Sequence, residues 1–237
     1  MERNFVLDIH THSIASGHAY GTIREMALAA KEIGLQLLGI SEHGPGIQGT
    51  VNPFYYTNLE IIPRKIYDVE LVHGCEINVL NGGKLSLEED FIQYLDYALV
   101  GIHGLCYKNE GIEKNTENVI ACMKHEKVFF VSHPDDSRMP LDYERLVKAA
   151  KEYHVALEVN NSSLRKLYER VNCLENYREM LRLCEEYEVP IIVNTDAHEP
   201  SYVGKFELAY DLLDNLNFNE ELILNTSVEK FKNFIGL

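Results

Sequence analysis

Seven short apolar runs, each followed by a stretch with helical spacing, recur along the chain and leave few folds open to it. The runs are Phe5-Val6-Leu7-Asp8-Ile9, Leu37-Leu38-Gly39-Ile40, Val69-Glu70-Leu71-Val72, Ala98-Leu99-Val100-Gly101-Ile102, Val128-Phe129-Phe130-Val131, Val155-Ala156-Leu157-Glu158-Val159 and Ile191-Ile192-Val193. Short runs rich in β-branched residues suit strands buried on both faces of a parallel sheet. Between them, 22–33 places Ile23, Met26, Ala27, Ala30 and Ile33 on one helical face, and 142–153 opens on Asp142, a good capping residue. The stretches 176–187 and 202–213 also have helical spacing. Strand and helix in alternation predict an α/β fold with a parallel sheet. No linker, repeat or charge block divides the 237 residues, so 1–237 reads as a single domain.

The polar residues fall at the strand ends. The first run leads to His10-Thr11-His12, the second to Glu42-His43, the third to Glu76 and the fourth to His103. The fifth leads to His133-Pro134, the sixth to Asn160-Asn161 and the seventh to Asp196-Ala197-His198. In an α/β barrel the C-terminal ends of all strands converge on one rim. No single element here is specific. His-x-His arises by chance because alternate residues of a strand share a face, and a lone histidine after a strand is more often structural than a ligand. The combination is specific: seven of ten histidines fall at or just after strand ends, and two carboxylates join them. Such a convergence marks a metal site. His73, within a strand, and His125 and His154, at helix ends where a cation suits the dipole, read as ordinary.

The bulk properties exclude several classes. A net charge of -15 argues against a polynucleotide partner, which wants a basic face. It does not argue against a small phosphorylated substrate, because exposed charges are screened beyond about 10 Å. No apolar run is long enough for a membrane-spanning helix. Met1-Glu2-Arg3-Asn4 lacks the basic start and apolar middle of a signal peptide. Five scattered cysteines with no Cys-x-x-Cys suit free thiols in a reducing, cytoplasmic location.

Taken in order, several motifs carry a resemblance. They are Asp8-Ile9-His10-Thr11-His12-Ser13, Gly17-His18-Ala19-Tyr20, Glu42-His43-Gly44-Pro45, Gly74-Cys75-Glu76, Gly101-Ile102-His103, Ser132-His133-Pro134, the stretch from Val155 through Ser163, and Thr195-Asp196-Ala197-His198. The sequence resembles the polymerase and histidinol phosphatase (PHP) superfamily over nearly its whole length, and most closely the single-domain YcdX-like phosphatases. The resemblance implies a distorted (β/α)7 TIM-like barrel with a trinuclear site. One metal would take His10, His12, Glu76 and Asp196. A second would take the bridging Glu76 with His103 and His133. A third would take His18, His43 and His198. Imidazoles with a few carboxylates suit zinc first, with manganese or iron as alternatives. A homotrimer is also implied. Asp8 reads as an acceptor for a ligand's second N–H or as a buried polar group of the strand, the former slightly preferred. The chain departs from the pattern at Asp135-Asp136, where a glycine is expected, and at Gly104-Leu105-Cys106, where a more polar or proline-containing loop is expected.

The chemistry expected is hydrolysis of phosphate esters, chiefly small phosphomonoesters. Two carboxylates against three divalent ions leave about +4, enough to hold a phosphate dianion, and a metal-activated hydroxide would attack phosphorus directly. Glu76, Asp196 and His198 are the expected catalytic ligands. Arg64, after Pro63, and Arg138, in the loop after His133, are candidates for added charge stabilisation. Rival readings are a histidinol-phosphate phosphatase with the same metal set and a nuclease, which would want a basic groove. An amidohydrolase, often reliant on a carbamylated lysine, and a non-enzymatic metal-binding regulator rank below them.

Overall fold

The computed structural model describes residues 4–237; Met1-Glu2-Arg3, read above for a leader, lies outside them. Among the described residues the strands are β1 (Leu7–Asp8), β2 (Leu37–His43), β3 (Lys65–Ile66), β4 (Val69–Leu80), β5 (Lys84–Leu85), β6 (Tyr97–Gly101), β7 (Val128–Val131), β8 (Ala156–Asn160) and β9 (Ile191–Asn194). The helices are α1 (Ile23–Glu32), α2 (Glu89–Ile92), α3 (Ile112–Met123), α4 (Tyr143–Tyr153), α5 (Asn161–Arg165), α6 (Cys173–Tyr187), α7 (Glu207–Asn215) and α8 (Val228–Ile235). Seven strands pair in parallel in the order β1-β2-β4-β6-β7-β8-β9, while β3 and β5 add antiparallel to the two ends of β4.

The seven-stranded sheet curls until its edges nearly meet. Thr11 bridges Ala197 in parallel fashion, and the His12 N–H donates to the Ala197 carbonyl at 2.8 Å. Lower down, the fully buried Asn225 fills the remaining gap. Its amide donates to the carbonyls of Leu7 and Val193, and its Oδ1 accepts from the Val193 N–H. The result is the distorted seven-stranded α/β barrel expected from the sequence.

The boundaries shift for identifiable reasons. β4 runs to Leu80, so Glu76 lies inside a strand rather than after one. The run of β-branched residues is broken at Gly74, but the strand is not. A side chain at Gly74 would come within 2.5 Å of the Tyr97 ring, which fills the barrel there. The helix read at 202–213 starts at Glu207, because Gly204 has a left-handed φ of 66° and breaks the spacing. The helix read from residue 176 begins at Cys173. α1 forms where expected, capped by Thr22 with Glu25, and buries Met26, Ala27 and Ala30. Ile33, read on the same face, is exposed at its C-cap. Asp142 caps α4 by accepting from the Arg145 N–H.

Two apolar layers position the site. One lies between strands and helices. The other fills the lower barrel with Leu7, Leu37, Val72, Tyr97, Phe130 and Ile192. α8, which the sequence reading did not pick out, seals the bottom by inserting Phe231 and Ile235, with Phe231 stacked on Phe130 at 6.0 Å. The upper half of the same barrel is polar.

Candidate metal centre

Parity on the strands aims the polar residues inward. Successive strand residues point to opposite faces, so Val72, Gly74 and Glu76 share the barrel side of β4 while His73 and Cys75 face the helices. Past the end of β1, the bridge at Thr11 keeps the backbone extended, and His10 and His12 both lie fully buried. Gly17, at φ 84°, turns the next loop so that His18 returns to the rim. A side chain there would come 2.2 Å from the Gly49 carbonyl oxygen. Gly101 leaves room beside Glu76, since a Cβ would lie 3.5 Å from its Oε1 and 2.2 Å from Ser132 Oγ. His133 and Asp196 adopt left-handed φ values of 30° and 52°, strained conformations for residues with side chains.

The nine expected ligands come together. Glu76 is central. Its Oε1 lies 2.7 Å from His133 Nε2 and 3.3 Å from His103 Nε2, and accepts from Ser132 Oγ at 2.9 Å. Its Oε2 lies 2.8 Å from His43 Nδ1, 3.4 Å from His10 Nε2 and 3.7 Å from His12 Nε2. Asp196 Oδ1 lies 3.2 Å from His12 Nε2 and 3.7 Å from His10 Nε2. Further out, His198 Nε2 is 3.1 Å from His18 Nε2 and 3.3 Å from His43 Nε2. His43 thus presents one ring nitrogen to the inner group and the other to the outer trio.

These atoms fit metal ions. His10 Nε2, His12 Nε2, Glu76 Oε2 and Asp196 Oδ1 are buried and have no hydrogen-bond partner, a costly arrangement unless a cation satisfies them together. Tetrahedral coordination at about 2.0–2.1 Å sets ligand nitrogens roughly 3.3 Å apart, close to the spacings found. The other ring nitrogens are already committed. His10 Nδ1 donates to Glu158 Oε1 at 2.7 Å. His12 Nδ1 donates to Ser16 Oγ at 2.9 Å, and Ser16 in turn donates to Glu42 at 2.5 Å. His198 Nδ1 donates to the Asp196 carbonyl at 3.0 Å. Each pairing fixes the tautomer that leaves Nε2 free as a ligand.

The electrostatics agree. Burial alone would raise the Glu76 carboxyl, but His103, His10 and His133 hold it well below the usual carboxylate range. Asp196 is likewise held low against burial, by His10 and His12. His10, against burial, is pushed well above the ordinary histidine value by Glu158, Glu76 and Asp196. Burial drives His12 well below it, with His43 and His198 adding to the effect. The two carboxylates and the raised His10 mark a place at the pocket's centre that favours positive charge.

Other residues take places the sequence reading did not assign. Glu158 holds His10 and also accepts from the His133 N–H at 2.7 Å. A carboxylate inside a strand buried on both faces was the available signal. Asp8 does not serve a ligand side chain: it ties the backbone N–H groups of His10, Thr195 and Gly204, and burial raises its carboxyl to about 6. Arg138 lines a cavity of about 320 Å³ beside His103 and His133, but its side chain is mostly exposed and bonded to Asp136 at 2.5 and 2.8 Å. Arg64 lies beside the first half of β4, is ion-paired with Asp96, and lines neither this cavity nor the one over the histidines. The larger cavity, about 550 Å³, is lined by His18, His43, Glu76, His103, Asp196 and His198. The same cavity is lined by Arg165, Lys166 and Arg170, the last close enough to His133 and Asp196 to act on both electrostatically. Asp135, at one departure from the expected motif, is buried and accepts from Ser163 and Tyr177, with Arg170 at 3.4 Å.

Known proteins resemble this chain in sequence and in fold. A "Probable phosphatase" of Clostridium novyi (strain NT) is 38% identical over 232 residues, covering 98% of this chain and 94% of that protein. Another "Probable phosphatase", from Thermoanaerobacter sp. (strain X514), is 39% identical over 232 residues, covering 97% and 94%. Among solved structures, the fold matches a histidinol phosphate phosphatase from Lactococcus lactis, solved with zinc, L-histidinol and phosphate. The TM-score is 0.58 at 17% identity, over 90% of this chain and 94% of that one. The PHP domain family matches residues 8–237, and the chain belongs to that family.

Proposed function

We propose that this phosphoric ester hydrolase cleaves small phosphomonoesters at three divalent metal ions, zinc first among them. His10, His12, Glu76 and Asp196 would hold one ion, Glu76 with His103 and His133 a second, and His18, His43 and His198 a third. The observation that carries this reading is the buried, unpartnered quartet of His10 Nε2, His12 Nε2, Glu76 Oε2 and Asp196 Oδ1. Held by these residues, divalent ions would supply Lewis acidity and would lower the pKa of a water toward neutral.

The chain's own groups shape the rest of the reaction. Glu158 and Ser16 keep the Nδ1 protons of His10 and His12 pointed away from the cluster. Buried Glu76 and Asp196 stay ionised, so the net charge above them remains moderate rather than extreme. Hydrolysis breaks the P–O bond to the alcohol and makes one to a water oxygen, and one proton of that water ends on the alcohol. The open cavity of about 550 Å³ accommodates a small ester.

The test is elemental analysis of purified, reconstituted protein, with hydrolysis of an aryl phosphate assayed alongside. Two to three transition-metal equivalents with metal-dependent phosphate release are expected. One equivalent or fewer would overturn the trinuclear assignment.

A further inference from the structure

The cavity over the histidines has a basic wall, and a single segment builds it. α5 and the turn after it bring Arg165, Lys166 and Arg170 to the cavity that His18, His43 and His198 also line. In a chain of net charge -15, this is a local reversal of sign. The carboxylates of this cavity do not cancel it. Glu76 and Asp196 belong to the histidine cluster, and Glu199 is engaged by the backbone N–H and hydroxyl of Ser201. Arg170 is ion-paired with the buried Asp135 at 3.4 Å but keeps donors to spare, since a guanidinium has five. Lys166 makes no side-chain hydrogen bond or ion pair among the described residues. Arg165 lies on the Tyr202 ring, 4.0 Å from its centre, which orients the guanidinium and leaves its edge free.

A phosphoryl group at the histidine cluster would have its charge met there. Three further cations in the same space exceed what one phosphate requires. We propose that the substrate carries a second anionic group, a carboxylate or a second phosphate, which Arg165, Lys166 and Arg170 receive while the scissile phosphate lies at the histidine cluster. The inference rests on the phosphomonoester reading above and narrows it to phosphomonoesters that also carry a carboxylate or a second phosphate.

The test compares three substrates that differ at one end: propanediol monophosphate, carboxyethyl phosphate and propanediol bisphosphate. They are assayed with the metal-loaded wild type, Lys166→Glu and Arg165→Gln, and the readout is the ratio of kcat/KM between each anionic substrate and the neutral-ended one. Wild type should prefer the anionic substrates by about tenfold or more, the order expected for one charge-assisted contact. Lys166→Glu should erase most of that preference, and Arg165→Gln should reduce it. The preference should also shrink as ionic strength rises. Equal kcat/KM for all three substrates in wild type would overturn the inference while leaving the phosphomonoester reading standing. So would variants that lower all three by one common factor, which would mean these residues hold the scissile phosphate. No hydrolysis of any of the three by wild type would overturn the phosphomonoester reading, and the inference with it.

Discussion

The lower and upper halves of the barrel are built by the same strands and the same inward-facing positions, yet they obey opposite rules. Below, Leu7, Leu37, Val72 and Phe130 close on Phe231 with no polar atom left over. Above, His10, His12 and Glu76 sit just as deeply and Asp196 turns a buried Oδ1 toward them, with ring nitrogens and carboxylate oxygens unpartnered. The floor is complete in itself, and the rim is complete only with cations. Packing below supplies the free energy that tolerates the unsatisfied cluster above, the division expected where a stable scaffold carries a strained site. Two strained ligand backbones, at His133 and Asp196, fall only on the rim side of this divide.

Four experiments would break or sharpen the contrast. The largest effect is expected at Glu76, whose two oxygens face five histidines. Glu76→Ala should lower phosphate release on the order of a thousandfold, several kcal/mol of lost electrostatic stabilisation, and should lower bound metal in the same preparation. Normal metal content with a near-normal rate would show that Glu76 does not hold the cluster together.

On the floor, Phe231→Ala removes an aromatic ring buried among Tyr97 and Phe130. A loss of about 3–5 kcal/mol is expected in denaturant unfolding, with KM unchanged. A KM that moved together with stability would mean that floor and rim are not separable.

His73 provides a control for the rim. It is buried with both ring nitrogens unpartnered, as several rim atoms are, but it faces the helices, near Asp96 and Arg64. Burial lowers it from 6.5 to about 4, with Asp96 opposing and Arg64 assisting. As pH falls below the unfolded value, the unfolded chain takes up this proton before the folded one does. Stability therefore declines between about pH 6.5 and pH 4, by up to about 3 kcal/mol. Urea titrations of metal-free wild type and His73→Leu across that window should diverge, with the variant showing the shallower pH dependence. Parallel curves would mean that His73 does not govern this titration.

A smaller effect is expected at Glu158, which touches ligands but is not proposed to bind metal. Glu158→Gln should cost ten- to a hundredfold in metal affinity or rate, the usual range for a residue that orients a ligating histidine. Loss as deep as that of Glu76→Ala would promote it into the cluster.

Much of this molecule was legible from the chain because its signals are local. A short apolar run with β-branched residues in it encodes a buried strand wherever it lies, and period-two parity then decides that Glu76 points inward and His73 outward. The convergence of seven histidines and two carboxylates follows once the strands are parallel, since all their C-terminal ends share a rim. What the chain did not reveal depends on contacts between distant segments. Asn225 completes the seam between β1 and β9, and nothing in its neighbourhood distinguishes it from any other asparagine. Glu158 reads as part of an apolar strand until β8 is set beside His10, 148 residues away. Arg64 and Arg170 are alike as isolated arginines. Only the closed barrel binds one to Asp96 and turns the other into the cavity, because an arginine's role is set by which carboxylate reaches it first in space. The candidate ligands were thus written into strand ends by local sequence. The second layer of acids and the basic wall were decided by tertiary closure, which alone fixes distances between residues far apart in the chain.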